Sequence, residues 1–497
     1  MDYKEATAIL CDIEQHVAVE RLRRDGLDIW PLLRLMLWRQ LVGGDAGPAA
    51  PPQQTARKAG KFEKLMLAAH ALLRSKRAYP KAEAVIFVAD NERSVTVGGK
   101  AISPFGDSLR DYAGRIGISS LTLDASCTAS PYGAPFSVRP EIALAFLRAR
   151  LLRVTDVSSA FAIPSLEELN DYIRRAHALL QLDRIQMLEE LRLIGALKQS
   201  FLPVLKAVSP KSVFLACYYH PAAMGMVLAC RELGIRSVEV QHGQQGDYHG
   251  MYANWTKAGP GGYALMPDNF WCWGQQSADR INQWSRPSWP VQQAFVGGNP
   301  WMARQIHQPG PVDEEAQLDA LFVAGKTHVL LALQPVEDAL PVPIQQAIEF
   351  SSPDTRWLVR FHPKMPAGSK AKILCRLRAM AVPDVEVELS SSLPLAALLK
   401  RTDFMITLWS SVAYEALLFG AHPIIAHANG LKSFRFYIDR GLFSYVDSKE
   451  AILELLRKDP LQKVEEDNPY IETREEVISE TLRYFVSPAI SAMSAKR

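Results

Sequence analysis

Cysteine is scarce and scattered in this chain of 497 residues. The six cysteines, Cys11, Cys127, Cys217, Cys230, Cys272 and Cys375, form no C-x-x-C pair and no Cys/His grouping at zinc spacing. That excludes a disulfide scaffold and a sequence-evident zinc site, and it predicts buried free thiols in a reducing compartment. Long hydrophobic runs are missing too. The segment Pro31-Leu32-Leu33-Arg34-Leu35-Met36-Leu37-Trp38-Arg39 is broken by arginine far short of the roughly 18 residues that span a bilayer. The amino terminus carries acids and no basic patch ahead of an apolar core, so no secretory signal is read there and a cytoplasmic location is expected. Excess charge of one sign is absent: 56 Lys and Arg against 53 Asp and Glu leave a formal charge of +3, which gives no reason to expect a nucleic-acid partner. There is no G-x-x-x-x-G-K-[ST] loop, no G-x-G-x-x-G after a strand and no G-x-S-x-G elbow. P-loop hydrolysis, ordinary dinucleotide redox chemistry and an α/β-hydrolase are disfavoured accordingly.

What is present reads as a globular α/β protein, with 48% hydrophobic and 22% charged residues. A helical pattern runs from about Ile13 to Leu41, followed by a Gly/Ala/Pro/Gln-rich linker from Gly43 to Thr55. Residues 57–81 form a basic amphipathic stretch with eight Lys or Arg and the single acid Glu63, interleaved with Phe62, Leu65, Met66, Leu72 and Leu73. Such a stretch suits either an anionic membrane surface, making the protein peripheral to the inner face of the plasma membrane, or a helix packed on its own domain. From Ala84 onward apolar strand-like runs alternate with helical patterns, the signature of parallel α/β units. One Rossmann-like half ends near Val296-Gly297-Gly298-Asn299-Pro300, which reads as a turn or hinge, and a second follows. The region Ser165 to Ala207 is expected to be helical in two pieces broken at Pro203. The resulting division is residues 1–80, helical and basic; 81–298, a first Rossmann-like domain; 299–450, a second; and 451–497, a helix crossing back.

In open parallel sheets, ligands bind at the carboxyl ends of strands, so the residues that follow each strand carry the chemistry. Four such places stand out. His242, in Gln241-His242-Gly243 after the strand Ser237 to Val240, can act as a general base near neutral pH, although a lone strand-end histidine is also commonly structural. His362, in His362-Pro363-Lys364, is held at its strand end by Pro363 and suits a phosphate, with Lys364 or Arg360 adding charge; the plain alternative is a turn-capping histidine. Ser410 and Ser411 stand where a strand passes into a helix, whose free N–H groups attract anions, and Glu415 lies one turn inside, placed for ribose hydroxyls. The serines also serve simply as caps, and the glutamate as a solvent-facing acid. Asp90 and Glu92, in Asp90-Asn91-Glu92-Arg93, offer a second base or an acceptor contact, against the plain reading of a polar loop tip. No metal cluster is visible in the sequence.

Taken in order, His242 in Gln-His-Gly, Pro267-Asp268-Asn269-Phe270-Trp271-Cys272-Trp273-Gly274, Gly298-Asn299-Pro300, His362-Pro363 and Ser410-Ser411 with Glu415 resemble the bacterial surface and capsular polysaccharide glycosyltransferases of GT-B fold. The similar families are capsule Kdo- and sialyltransferases and the CDP-glycerol glycerophosphotransferases, and the likeness covers roughly Ser212 to Ile425. It implies two Rossmann-like doubly wound domains facing a cleft, with an N-terminal helical extension. It also implies a histidine-proline motif and a paired serine motif on the donor phosphates, and His242 as base. The chain departs from the polysialyltransferases in lacking an Asp/Glu-Asp/Glu-Gly acceptor motif. The expected activity is an inverting, metal-independent transfer from a CMP-, CDP- or UDP-linked sugar to a hydroxyl of a cell-surface glycan or lipid-linked acceptor, with no separate cofactor. A sugar-nucleotide epimerase of the same fold and a non-catalytic polysaccharide assembly protein are the alternatives.

Overall fold

The computed structural model describes residues 3–43, 61–74, 79–88, 95–97, 100–125, 136–151, 164–243, 245–258, 261–285, 292–307, 312–336, 338–380, 384–458 and 470–487. The chain forms two compact units, Met1–Ala303 with Glu472–Arg497, and Arg304–Ile471.

The first unit is built on a seven-stranded parallel sheet. Its strands, in chain order, are β1 (Ala84–Val88), β2 (Ser120–Asp124), β3 (Phe136–Ser137), β4 (Ser212–Leu215), β5 (Arg236–Val240), β6 (Asn269–Cys272) and β7 (Gln293–Val296). They lie in the order β7-β6-β5-β4-β1-β2-β3. The β1 sequence Ala-Val-Ile-Phe-Val and the β4 sequence Ser-Val-Phe-Leu are continuous apolar runs, and nearly all of their residues are buried. This is what strands covered on both faces require. Strand order reverses between β1 and β4, so the carboxyl ends of those two strands frame the crevice where such sheets take ligands.

The second unit repeats the plan with six parallel strands: β8 (Thr327–Ala332), β9 (Thr355–Arg360), β10 (Val385–Glu386), β11 (Phe404–Thr407), β12 (His422–Ile425) and β13 (Ser444–Tyr445). Their order is β10-β9-β8-β11-β12-β13, with the reversal between β8 and β11. Two doubly wound sheets match the fold class expected from the alternating pattern.

Three local expectations are corrected. The helical pattern from Ile13 to Leu41 is two helices, Tyr3–His16 and Trp30–Gly43, separated by a short hairpin in which Arg23–Arg24 pairs with Leu27–Asp28. Asp25 and Gly26 turn that hairpin with φ of 50° and 78°, the left-handed pair that a tight hairpin demands. The helical extension is packed into the first unit. Leu10, Ile13, Trp30, Leu33 and Leu37 share one core with Val85 and Val213 of the sheet.

The region 165–207 breaks at residues 177–183 and not at Pro203. Asp183 caps the helix Arg184–Val208 by accepting from the amides of Ile185 and Gln186, while Pro203 is carried within that helix. Burial of Phe201, Leu202, Val204 and Leu205 around the proline outweighs its missing N–H. Finally, the glycines at 297 and 298 do not form a slack hinge. A Cβ on Gly297 would enter the Trp271 ring, and Gly298 takes φ 77° while its carbonyl accepts from Trp271 Nε1 at 2.7 Å. Asn299 then donates from its amide to Glu472 O at 2.8 Å. The chain leaves the first unit inside the helix Pro300–His307 and returns at Glu472. The returning helix Glu475–Val486 buries Ile478, Leu482 and Phe485 in the core that holds Phe214 and Trp271.

The helix Lys61–Arg74 packs on the helix Arg139–Leu151, with Ala68 and Ala71 set against Leu144, and exposes Leu65 and Met66. Among the described residues no helix is long and apolar enough to cross a membrane.

Asp28 starts the helix at Trp30 by accepting from the Trp30 amide at 3.0 Å. Burial, opposed by that bond and by Arg23, pushes its carboxyl up to about 7. Because the folded chain binds this proton more tightly than the unfolded one, Asp28 destabilises progressively as pH rises from about 4 through 7, by up to about 4 kcal/mol. Asp28→Asn keeps the cap and removes the charge. Thermal unfolding should show the variant melting higher than the native chain at pH 8 and no higher at pH 4.

Candidate functional site

Strand β5 alternates. Val238 and Val240 face one core, and Glu239, on the other side of the pleat, is fully buried. A carboxylate placed there needs donors. Tyr252 supplies one through its hydroxyl, and His242 brings Nδ1 to 3.3 Å from Glu239 Oε1. The His242 side chain is only 4% exposed. Its ring lies among Phe105, Tyr219 and Tyr252, at centroid distances of 6.4, 6.1 and 6.2 Å. Nε2 stands 3.4 Å from the Tyr219 hydroxyl, and the Cys217 amide points at Nδ1 from 3.2 Å. Cys217, just past β4, holds φ at 59°, an uncommon conformation for a residue with a side chain. Burial first, and the Glu239 charge second, push the Tyr252 hydroxyl well above the usual phenol range. Tyr252 therefore stays a donor.

Next to this cluster, at the reversal between β1 and β4, lies a small open pocket. Val88, Leu109 and Phe214 make its apolar wall, and Ser103, Cys217 and His220 its polar rim. Ser103 also organises the start of the helix Gly106–Arg115: its hydroxyl accepts from the Gly106 amide at 3.0 Å, and its own amide donates to Asp107 Oδ2 at 2.9 Å. This reciprocal cap, like Glu239, Tyr219 and Tyr252, was not singled out from sequence. The Ser103-x-x-x-Asp107 spacing after a strand was the available signal. Asp90 and Glu92 lie outside the described residues.

The loop that follows His242 is fastened by the amino-terminal helices. Arg34 and Glu14, both fully buried, form an ion pair. Arg34 donates to the carbonyls of Gly250 at 2.9 Å and Ala253 at 3.1 Å, and lies 4.2 Å above the Trp255 ring. Glu14 accepts from Trp30 Nε1 at 2.8 Å and from the Thr256 amide at 2.7 Å and hydroxyl at 2.6 Å. Trp38 packs so closely on Gly250 that a Cβ there would stand 2.4 Å from the ring.

In the second unit, six of the expected residues gather at the ends of β9 and β11, the strands on either side of β8. His362 accepts the Lys364 amide on Nδ1 at 3.0 Å. Burial, reinforced by Lys364 and Lys370, lowers its pKa. The ring is therefore neutral at pH 7 with its proton on Nε2, a hydrogen-bond donor. Lys364 is exposed. Arg360 is turned inward and donates to the carbonyls of Ser390 and Leu393 at 2.7 and 2.6 Å, so two of its contacts fix the backbone. Ser410 accepts from the Val412 amide at 3.3 Å, and Ser411 is the exposed N-cap residue before the helix Val412–Phe419, without a side-chain cap bond of its own. Glu415 is not a solvent-facing acid: burial pushes its carboxyl up to about 7, against the pull of the Arg360 charge.

Two strand-end residues escaped the sequence reading. Gln334 follows β8 and accepts from the Trp409 amide at 2.8 Å. His427 follows β12, accepts from the Asn429 amide at 3.0 Å, and meets the Trp409 ring at 4.5 Å. The strand-end rule that found His362 applies equally to His427. Gly430 lets the next helix close on the loop after β11, since a Cβ there would lie 2.1 Å from Leu408 O. Among the described residues, no group of three or more His, Cys, Asp or Glu is placed to share a metal ion.

The comparisons define the class of fold. The UDP-GlcNAc 2-epimerase from Methanocaldococcus jannaschii superposes with a TM-score of 0.50 at 11% identity, over 81% of this chain and 99% of that one. The chain therefore has the GT-B-like fold of two doubly wound sheets, with a helical amino-terminal extension. The UDP-GlcNAc 2-epimerase from Neisseria meningitidis, bound to UDP-GlcNAc, gives 0.45 at 12% identity over 81% and 99%, and the glycotransferase of kitacinnamycin 0.42 at 12% over 82% and 94%. No family model matches the sequence, and no curated protein matches it.

Removing one partner of the buried ion pair leaves the other charged and enclosed. Arg34→Met should cost about 3–5 kcal/mol in denaturant unfolding, and Glu14→Gln in the same chain should return part of that loss.

Proposed function

We propose that this chain is an enzyme acting on a nucleotide-activated sugar. The observation that carries the reading is the donor set at the strand-order reversal of the second unit. It consists of His362 with its Nε2–H, the two serines at a helix start where only Ser410 makes a side-chain bond, and Lys364. Such groups suit the phosphates of a nucleotide and the charge that grows on it as a leaving group. Glu415 offers its carboxyl to ribose hydroxyls. On the first unit, His242 is the acid–base group.

Two reactions divide this class. The first is rearrangement of the sugar itself, 2-epimerisation of a UDP-sugar, supported by the fold neighbour from Methanocaldococcus jannaschii. The second is transfer to a glycan or lipid-linked acceptor, supported by the order of the Gln-His-Gly, His-Pro and Ser-Ser motifs. In transfer, His242 takes the proton of an acceptor hydroxyl, the oxygen bonds to the anomeric carbon, and the electron pair of the breaking bond leaves with the nucleotide.

Thermal-shift measurements with CMP, CDP, UDP and GDP test the shared reading. UDP should raise the melting temperature by several degrees at 100 times its Kd, a stabilisation of about 2.7 kcal/mol. His362→Ala and the Ser410→Ala/Ser411→Ala double variant should lose the shift. If none of the four nucleotides shifts the native chain, the reading fails. Proton NMR of UDP-GlcNAc incubated with the enzyme alone then separates the reactions: inversion at C2 without an acceptor marks the epimerase, and a sugar that keeps its C2 configuration and is hydrolysed slowly marks the transferase. Binding with no turnover, and undiminished polymer production in cells carrying His242→Ala, would mark an assembly protein.

The basic run at 57–81 is proposed as a contact with anionic membrane. Sedimentation with phosphatidylglycerol vesicles at low salt should carry the protein down, and raised salt should release it. A protein that stays in the supernatant at low salt removes the proposal.

A further inference from the structure

We infer that Glu239 is a positioning residue that decides which ring nitrogen of His242 carries the proton. Nδ1 of His242 has two neighbours that make opposite demands. The Cys217 amide, 3.2 Å away, is a donor and wants a lone pair there. The Glu239 carboxylate, 3.3 Å away, is an acceptor and wants a proton there. One nitrogen in a neutral ring cannot answer both.

The surroundings decide between them. A hydrogen bond to an ionised group is roughly twice as strong as a neutral one, and enclosure strengthens it further. Glu239 is fully buried, and the Tyr252 hydroxyl already donates to the same Oε1, so a donor is in place for the anionic form. With Glu239 ionised, the proton sits on Nδ1 and the lone pair on Nε2, 3.4 Å from the Tyr219 hydroxyl. That is the tautomer of a general base. Without the charge, the Cys217 amide fills Nδ1, the proton moves to Nε2, and the same ring becomes a donor. Cys217 is fixed by its left-handed backbone, so its amide is not free to turn away.

The base role of His242 rests on the function proposed above; the tautomer does not. It is read by nitrogen-15 NMR on histidine-labelled full-length protein, free of nucleotide, with the His242 signals among the 11 histidines identified by their loss in His242→Asn. The native chain should show a protonated Nδ1 and an unprotonated Nε2 at neutral pH, and Glu239→Gln should exchange the two. Tyr252→Phe, which removes a contact of Glu239 and keeps its charge, should leave Nδ1 protonated. A native chain with the proton on Nε2 overturns the inference, whether or not Glu239→Gln folds, and so does a folded Glu239→Gln with an unchanged tautomer. A failed nucleotide shift with the expected tautomers would count against the proposed function alone.

Discussion

The buried pair of Glu14 and Arg34 is the constraint on which the first unit depends. Two full charges at zero exposure are costly unless every lone pair and proton is answered. Here most of the answers come from one loop. Arg34 is satisfied by the carbonyls of Gly250 and Ala253, and Glu14 by Thr256 and Trp30. The acceptors of Arg34 lie more than 200 positions along the chain. The pair forms at full strength only once the loop around residues 250–256 is folded against the amino-terminal helices. That same loop carries Tyr252, whose hydroxyl holds Glu239, which in turn faces His242. An arginine in the first helical pair thus governs the polarity around a histidine at a strand end, through a contiguous series of short bonds.

The two sheets share one strand order and use their crevices differently. In the first unit, polar groups near the reversal are turned upon each other. Glu239, His242, Tyr219 and Tyr252 form a closed network inside an aromatic shell, beside a largely apolar pocket. In the second unit, Arg360 is bound by backbone carbonyls, while His362, Lys364 and Ser411 stay at least partly exposed. An enclosed carboxylate beside an imidazole biases where that ring holds its proton, whereas exposed donors remain accessible to solvent. The same fold therefore encloses its polar strand-end groups in one unit and leaves them open to solvent in the other.

How much of this was legible follows from what each signal depends on. The parallel strands were readable because burial on both faces writes a continuous apolar run, as in Ala84–Val88 and Thr327–Ala332. His242, His362 and the Ser410-Ser411 pair were readable because they directly follow such runs. Glu239 was not, since a glutamate within a strand reads as the solvent side of an alternating pattern until the third dimension brings Tyr252 over it. That the amino-terminal extension joins the core of the first unit was not legible for a related reason. Its apolar faces find the sheet core, and Arg34 inside Leu-Leu-Arg-Leu-Met reads as a break in a hydrophobic run, not as a buried ion. The Pro203 break failed because tertiary burial overrode a local preference, and the expected hinge failed because its glycines serve close packing against Trp271 and Glu472.

Near-balanced charge takes on a different meaning once the residues are placed. Of the 109 charged side chains, the pairings that shape the two strand-end regions involve groups wholly or partly removed from water. Glu14 and Arg34 cancel one another, Glu415 and Arg360 oppose each other's shifts, and Glu239 is answered by a phenol and an imidazole. The partner of each compensated acid suits what that acid does. A permanent guanidinium stands where the charge must hold a loop, and a titratable imidazole stands beside Glu239. An arginine in place of His242 would satisfy Glu239 more strongly and would not titrate. The weaker, titratable partner beside a fully buried carboxylate is what separates this corner from the Glu14–Arg34 ion pair.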